Sequence, residues 1–182
     1  MPLPPPVERE QQHCRQYDFR GYRRADGLWD IEGHLTDTKT YGFDNDHRGR
    51  IEAGDPIHNM WIRLTIDEEL LIHDIEAVTD DGPYAICPAI TPNFKKIKGE
   101  RIGAGWRQRV RAKLGGTEGC THLVEMLGAM ATVAFQTLYP TWARKRAKAS
   151  TTKRPALIDT CHAYASDGEI VKKVWPDFYT GD

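Results

Sequence analysis

The stretch at positions 57–67, "IHNMWIRLTID", decides the fold. Met60, Ile62, Leu64 and Ile66 fall on alternate positions, with Trp61, Arg63 and Thr65 between them. A period of two is that of an extended strand with one buried face. After a short acidic turn, "LLIHDIEAVT" (70–79) reads as a further long strand, and "DDGP" (80–83) ends it. Upstream, "YDFRGYRRADGLWDIEGHLTDTKTY" (17–41) reads as a hairpin. Tyr17 and Phe19 precede a turn at Asp26-Gly27, and Trp29, Ile31 and Leu35 then alternate with Asp30, Glu32 and His34. The polar, glycine-containing "GFDNDHRGRIEAGDP" (42–56) reads as a loop. The strands imply an antiparallel sheet with one covered face.

Past residue 100 the period changes. In "GAGWRQRVRAKLGG" (103–116) Trp106, Val110 and Leu114 stand at helical spacing, and a glycine pair closes the segment. "THLVEMLGAMATVAFQTLYP" (121–140) carries the strongest helical pattern. Leu123, Met126, Leu127, Met130, Val133 and Ala134 form its apolar stripe, Thr121 is placed to cap it, and Pro140 follows its end. "ARKRAKASTTKRP" (143–155) reads as a basic linker. "ALIDTCHAYASDGEIVKKVWP" (156–176) reads as a C-terminal hairpin turning at Ser166-Asp167-Gly168. Strands first and helices after give an α+β class: an N-terminal hairpin plus two or three long strands, then helices, then a last hairpin. Residues 1–12, with proline at 2, 4, 5 and 6, are expected to be a disordered arm. Residues 13–182 are expected to form a single domain with its core at about 13–140 and its C-terminal hairpin at about 155–176.

A chain of 182 residues buries enough surface to hold a core without disulfides. The net charge of −1 argues against bulk nucleic acid or an anionic membrane as partner, and the basic run "RKRAK" has no interleaved aromatics. No apolar run approaches the length of a membrane span, and the N-terminus has no hydrophobic segment. Cys14, Cys87, Cys120 and Cys161 are widely spaced, so a cytoplasmic protein with thiols or ligands is expected rather than one with bridges. The expected partner is a small-molecule substrate, and a homo-oligomer is compatible with the composition.

Several residues bear chemistry. In "GTEGCTHLVEM" (116–126), Cys120 lies just before a helix and His122 in its first turn, where free N–H groups favour a thiolate. The alternative is a packed cysteine and a histidine filling a polar gap. His58 has the parity of Met60 and Ile62 and so points inward, and Cys87 follows the third long strand. His58, Cys87, Cys120 and His122 together form a ligand set suited to a zinc or iron ion. Asp37 and Lys39 continue the parity of Trp29, Ile31 and Leu35. If the strand runs on, both face inward, and a buried charged pair marks a site; if it stops at Leu35, both are solvated. Arg23 and Arg24, with Arg107, Arg109 and Arg111, either receive an anionic group or form a solvated charged face. Cys161-His162 is a weaker echo of the Cys120 motif.

"YRRADGLWDIEGHLTDTK", "GDPIHNM", "PYAICPAI", "GAGWRQRVRAKLGG", "GCTHL" and "DTCHAYASDGEIVKKVWP" resemble, in order, the bacterial family called domain of unknown function 2889. The resemblance runs from about His13 to Pro176. It implies a setting among genes for breakdown of aromatic and acyl-thioester compounds, and hence an enzyme. In layout, "IHNMWIRLTID", "PYAICPAI" and "GCTHLVEM" are also similar to iron–sulfur scaffold proteins of the nitrogen-fixation type. Those have a three-stranded sheet followed by helices, with ligands near the positions of His58, Cys87 and the Cys120–His122 pair. Histidine in place of the first cysteine suits a single metal ion better than a cluster.

The expected function is therefore a catabolic enzyme with a metal-assisted pocket, a lyase or hydrolase cleaving a C–C or thioester bond. His58, Cys87, Cys120 and His122 would hold the ion. Asp37 or Glu125 would transfer protons, with Lys39 as partner, and Arg24 or Arg109 would clamp the substrate. The alternative is a metal or iron–sulfur binding protein without catalysis.

Overall fold

The computed structural model describes residues 3–148 and 153–182. Four long strands form one antiparallel sheet in the order β1-β2-β5-β6: β1 His13–Arg23, β2 Trp29–Lys39, β5 Pro56–Ile66 and β6 Ile72–Asp81. Between β2 and β5, the stretch expected to be a loop carries a short hairpin, β3 Phe43–Asn45 with β4 Gly49–Ile51. Asn45 builds its turn by accepting the backbone N–H groups of His47 and Arg48.

Register follows the alternation. In β2, Trp29, Ile31, Gly33, Leu35 and Asp37 are buried, and the residues between them are half-exposed. Opposite them on β5 stand Ile66, Leu64, Ile62, Met60 and His58. The covered face is therefore apolar over most of its length and ionisable at one end.

Two helices follow, α1 Trp106–Leu114 and α2 Thr121–Lys148. Leu123, Met126, Leu127, Met130, Ala134 and Leu138 of α2 are all fully buried, each contributing about 1.5–3 kcal/mol for the larger side chains. Val133, expected in the same stripe, is only half-buried. Glycines in the sheet let α2 approach closely. A side chain on Gly33 would meet the Met126 methyl at 2.8 Å, and one on Gly21 would meet the Thr137 hydroxyl at 1.9 Å. Trp106 of α1 is buried and donates its indole N–H to the Leu127 carbonyl at 2.9 Å.

Four sequence expectations for the second half of the chain are corrected. Thr121 is the first helical residue of α2 rather than its cap: the Cys120 carbonyl already accepts the Val124 N–H at 2.9 Å, so Cys120 holds the capping position. Pro140 lies inside α2 rather than beyond it, since loss of one N–H at that point does not stop a helix with favourable turns on both sides. The C-terminal hairpin does not form. Residues 162–178 make two short 3-10 turns and a helix, α3 Glu169–Val174. Ile170, Val171 and Val174 stand at helical rather than alternating spacing, and Val171 alone of α3 is buried. The expected basic linker is helical up to Lys148, and its residues 149–152 lie outside the described ones. The chain divides into two compact units, Met1–Pro140 and Thr141–Asp182.

Candidate functional site

The ionisable end of the covered face gathers around Asp37, whose side chain is 2 % exposed. Antiparallel pairing sets Arg15 of β1 and His58 of β5 directly opposite it on either side. Arg15 donates through Nε to Oδ1 and through Nη2 to Oδ2, each at 2.7 Å, a two-pronged grip. His13 Nε2 reaches Oδ1 and His58 Nδ1 reaches Oδ2, both at 2.9 Å. Each carboxylate oxygen thus accepts two hydrogen bonds, which uses its full acceptor capacity.

Burial alone would raise the Asp37 pKa. The Arg15 guanidinium, with His13 and then His58, outweighs it and holds the carboxyl down at about 2. Asp37 is therefore a fixed anion that orients its neighbours rather than a group that gives up a proton. Because it can only accept, His58 presents N–H at Nδ1 and keeps a free lone pair at Nε2. Burial pushes the His58 pKa below its ordinary value, against the opposing pull of Asp37.

The start of α2 closes the cluster. His122 lies with its ring centroid 3.9 Å from that of His58, tilted by 36°, and its Nε2 is 4.0 Å from Asp37 Oδ2. Burial and the neighbouring His58 and Arg15 lower its pKa too, so two neutral imidazoles stand face to face. Cys120 Sγ lies 3.7 Å from His122 Nδ1. One turn along, Glu125 accepts Arg15 Nη1 at 3.1 Å and faces Tyr17, whose pKa is raised by burial and by Glu125.

Of the residues singled out in the sequence, the structure brings together Asp37, His58, Cys120, His122 and Glu125. Asp37, His58 and His122 each offer a ligand atom within 4.8 Å of the others, the one such group among the described residues. Cys87 stands outside it. It opens the 3-10 segment after β6 and packs on Gly82, whose added Cβ would meet its Sγ at 3.3 Å. Lys39 does not pair with Asp37. The register slips between Asp37 and Thr38, and the Lys39 ammonium instead bonds Tyr41 Oη at 2.7 Å and lies over the Tyr41 and Phe43 rings. Arg24 grips Asp26 and reaches Asp30 and Thr65 at the far end of the sheet. Arg109 ties the loop before α1 through the Ala104 carbonyl and Glu100. Neither arginine faces the cluster. The residues missed by sequence reading are His13 and Arg15. Their signal was the parity they share with Tyr17 and Phe19 on β1.

These features define an α+β protein with a buried carboxylate that holds an arginine and two histidines beneath a helix N-terminus. The chain belongs to the family described as "Protein of unknown function (DUF2889)", which it matches over residues 13–136. No curated protein and no solved structure matches it, so the layout likeness to iron–sulfur scaffolds gains no support. All the clustered residues lie within the matched segment. No described helix is long and apolar enough to cross a membrane.

Proposed function

We propose that the protein is an enzyme, a lyase or hydrolase acting on a small molecule, with His58 as general base. The observation that carries this is the saturated Asp37. Burying a carboxylate and surrounding it with an arginine and histidines at one end of an otherwise apolar face is costly for stability, and such arrangements concentrate at reaction centres. Asp37 fixes the His58 ring and tautomer, as a buried carboxylate does for a catalytic histidine. In a thioester, His58 Nε2 would take a proton from the attacking water, and the thiolate would leave with the electrons of the broken C–S bond. In a C–C cleavage, it would take the proton of a hydroxyl whose carbon becomes a carbonyl, the electron pair of the broken bond passing into an adjoining carbonyl of the substrate. His58, protonated in that step, then returns the proton to the leaving group, with His122 beside it.

The test is turnover of a panel of aromatic and acyl-thioester compounds, followed by mass spectrometry of the products. His58→Ala should lower kcat by about 100-fold or more, and Asp37→Asn by a comparable factor. A folded His58→Ala protein that works at the wild-type rate overturns the assignment.

A second reading rests on the three ligand atoms within 4.8 Å of one another: Asp37, His58 and His122 hold one zinc or iron ion, with or without catalysis. In that case Asp37, His58 and His122 would hold the ion, which would polarise a carbonyl or activate water. Elemental mass spectrometry of protein purified without chelators separates the readings. About one ion per chain, lost in His58→Ala and His122→Ala, favours the metal centre.

A further inference from the structure

We infer that the groove between α1 and α2 binds the body of the substrate, and that this substrate is a small organic anion with a flat apolar part and one oxyanion group. The inference deepens the reading of the Asp37–His58 cluster as a reaction centre, and rests on it. The groove encloses about 720 Å³, a size that suits a single small ligand. Val110, Val124, Gly128 and Ala129 form an apolar part of its lining, with Gln108, Glu125 and Thr132 as polar neighbours. Gly128 keeps it open: a side chain there would meet nothing closer than Arg107 Nε at 3.8 Å, so the space belongs to no other group.

Arg107 and Arg111 stand one helical turn apart on α1 and both line the groove. Like charges at that spacing repel. Neither joins any of the ion pairs among the described residues, whereas Arg109 between them is held by Glu100. Two guanidinium groups with no carboxylate partner, side by side over an apolar wall, match an oxyanion carried on an apolar body.

Glu125 connects the groove to the cluster. It lines the groove and also bonds Arg15, which grips Asp37. None of Asp37, His58 and His122 lines the groove, so Glu125 and Arg15 are the link between a ligand held by Arg107 and Arg111 and the cluster.

The test uses the full chain and three probes: 2-naphthoate, 2-naphthyl phosphate and the neutral 2-naphthamide, with binding followed by calorimetry and by backbone amide shifts. At least one anion should bind tenfold or more tightly than the amide, roughly the discrimination expected when a charge-assisted bond is lost. The double variant Arg107→Gln/Arg111→Gln should erase that preference, and Gly128→Leu should weaken all three probes. A tighter carboxylate or a tighter phosphate identifies which oxyanion the natural ligand carries. Equal binding of anion and amide, binding unchanged in the double variant, or no binding of any probe overturns the inference. His58→Ala should bind the anions as the wild type does. Intact binding with no dependence of turnover on His58 would sink the reaction-centre reading while leaving the groove in place.

Discussion

Asp37 shows how much one residue can hold. Its anion satisfies Arg15, His13 and His58 at once, so replacing it leaves three donors without their acceptor. Asp37→Asn keeps the shape but puts an NH2 against other donors. We expect it to cost about 3–5 kcal/mol in urea unfolding, the usual penalty for breaking a buried ion pair on one side. Arg15→Met should cost a similar amount, and Asp37→Leu combined with Arg15→Met clearly less than the sum of the single changes, because no charge is then left uncompensated. Strict additivity would show that the pair is not coupled. The inward parity of Asp37 and His58 was legible because strand alternation carries past the apolar residues. Their partners were not. A two-residue turn on Asp26-Gly27 would set Arg15 opposite Thr38. The actual pairing of Arg24 with Leu28 leaves three loop residues, with Gly27 at φ +89°, and this moves Arg15 opposite Asp37.

At the scale of elements, the site depends on how closely α2 lies on the sheet. Gly21 and Gly33 set that distance, and nothing in the local pattern distinguishes them from turn glycines, because the demand comes from the helix above. Gly21→Ala should destabilise by about 1–3 kcal/mol by overpacking against Thr137, and Thr137→Ala should recover part of the loss, since it removes the two closest atoms. Thermal unfolding of the single and double variants measures this; no recovery would mean that α2 is held off by something else. The turn between β5 and β6 offers a pH test. Asp67 accepts the N–H groups of Glu69 and Leu71 and the ring of His73, and holds Leu70 at φ +63°. Burial would raise its pKa, but His73 and the two backbone donors outweigh it, so the carboxyl titrates below its ordinary range. A lowered folded pKa gives stability that is present above the unfolded value of about 3.9 and lost as pH falls through the folded one. The deficit of Asp67→Asn relative to wild type should therefore be largest near neutrality and shrink steadily below about pH 4. A deficit that does not change with pH would mean that the Asp67 charge contributes nothing.

Across the whole molecule, chemistry and family identity fall in the same place. The family match ends at residue 136, the first compact unit at Pro140, and every clustered side chain from His13 to Glu125 lies before both limits. The sheet and the first stretch of α2 supply that unit's core from within its own sequence: Ile31, Leu35, Met60 and Leu64 from the strands, Leu123, Met126 and Leu127 from the helix. Among the later residues, Ile158 and Val171 are buried. The hairpin expected at about 155–176 does not form: a short segment with few buried positions gives too little periodicity to tell helix from strand. A chain ending at Pro140 should therefore unfold in one cooperative transition, as units of this size do, and should keep turnover within about tenfold of the full chain. Circular dichroism melting and the same product assay decide the matter. A truncated protein that folds but is inactive would place part of the reaction centre beyond Pro140, and one that does not fold would show that the second unit is required for the first.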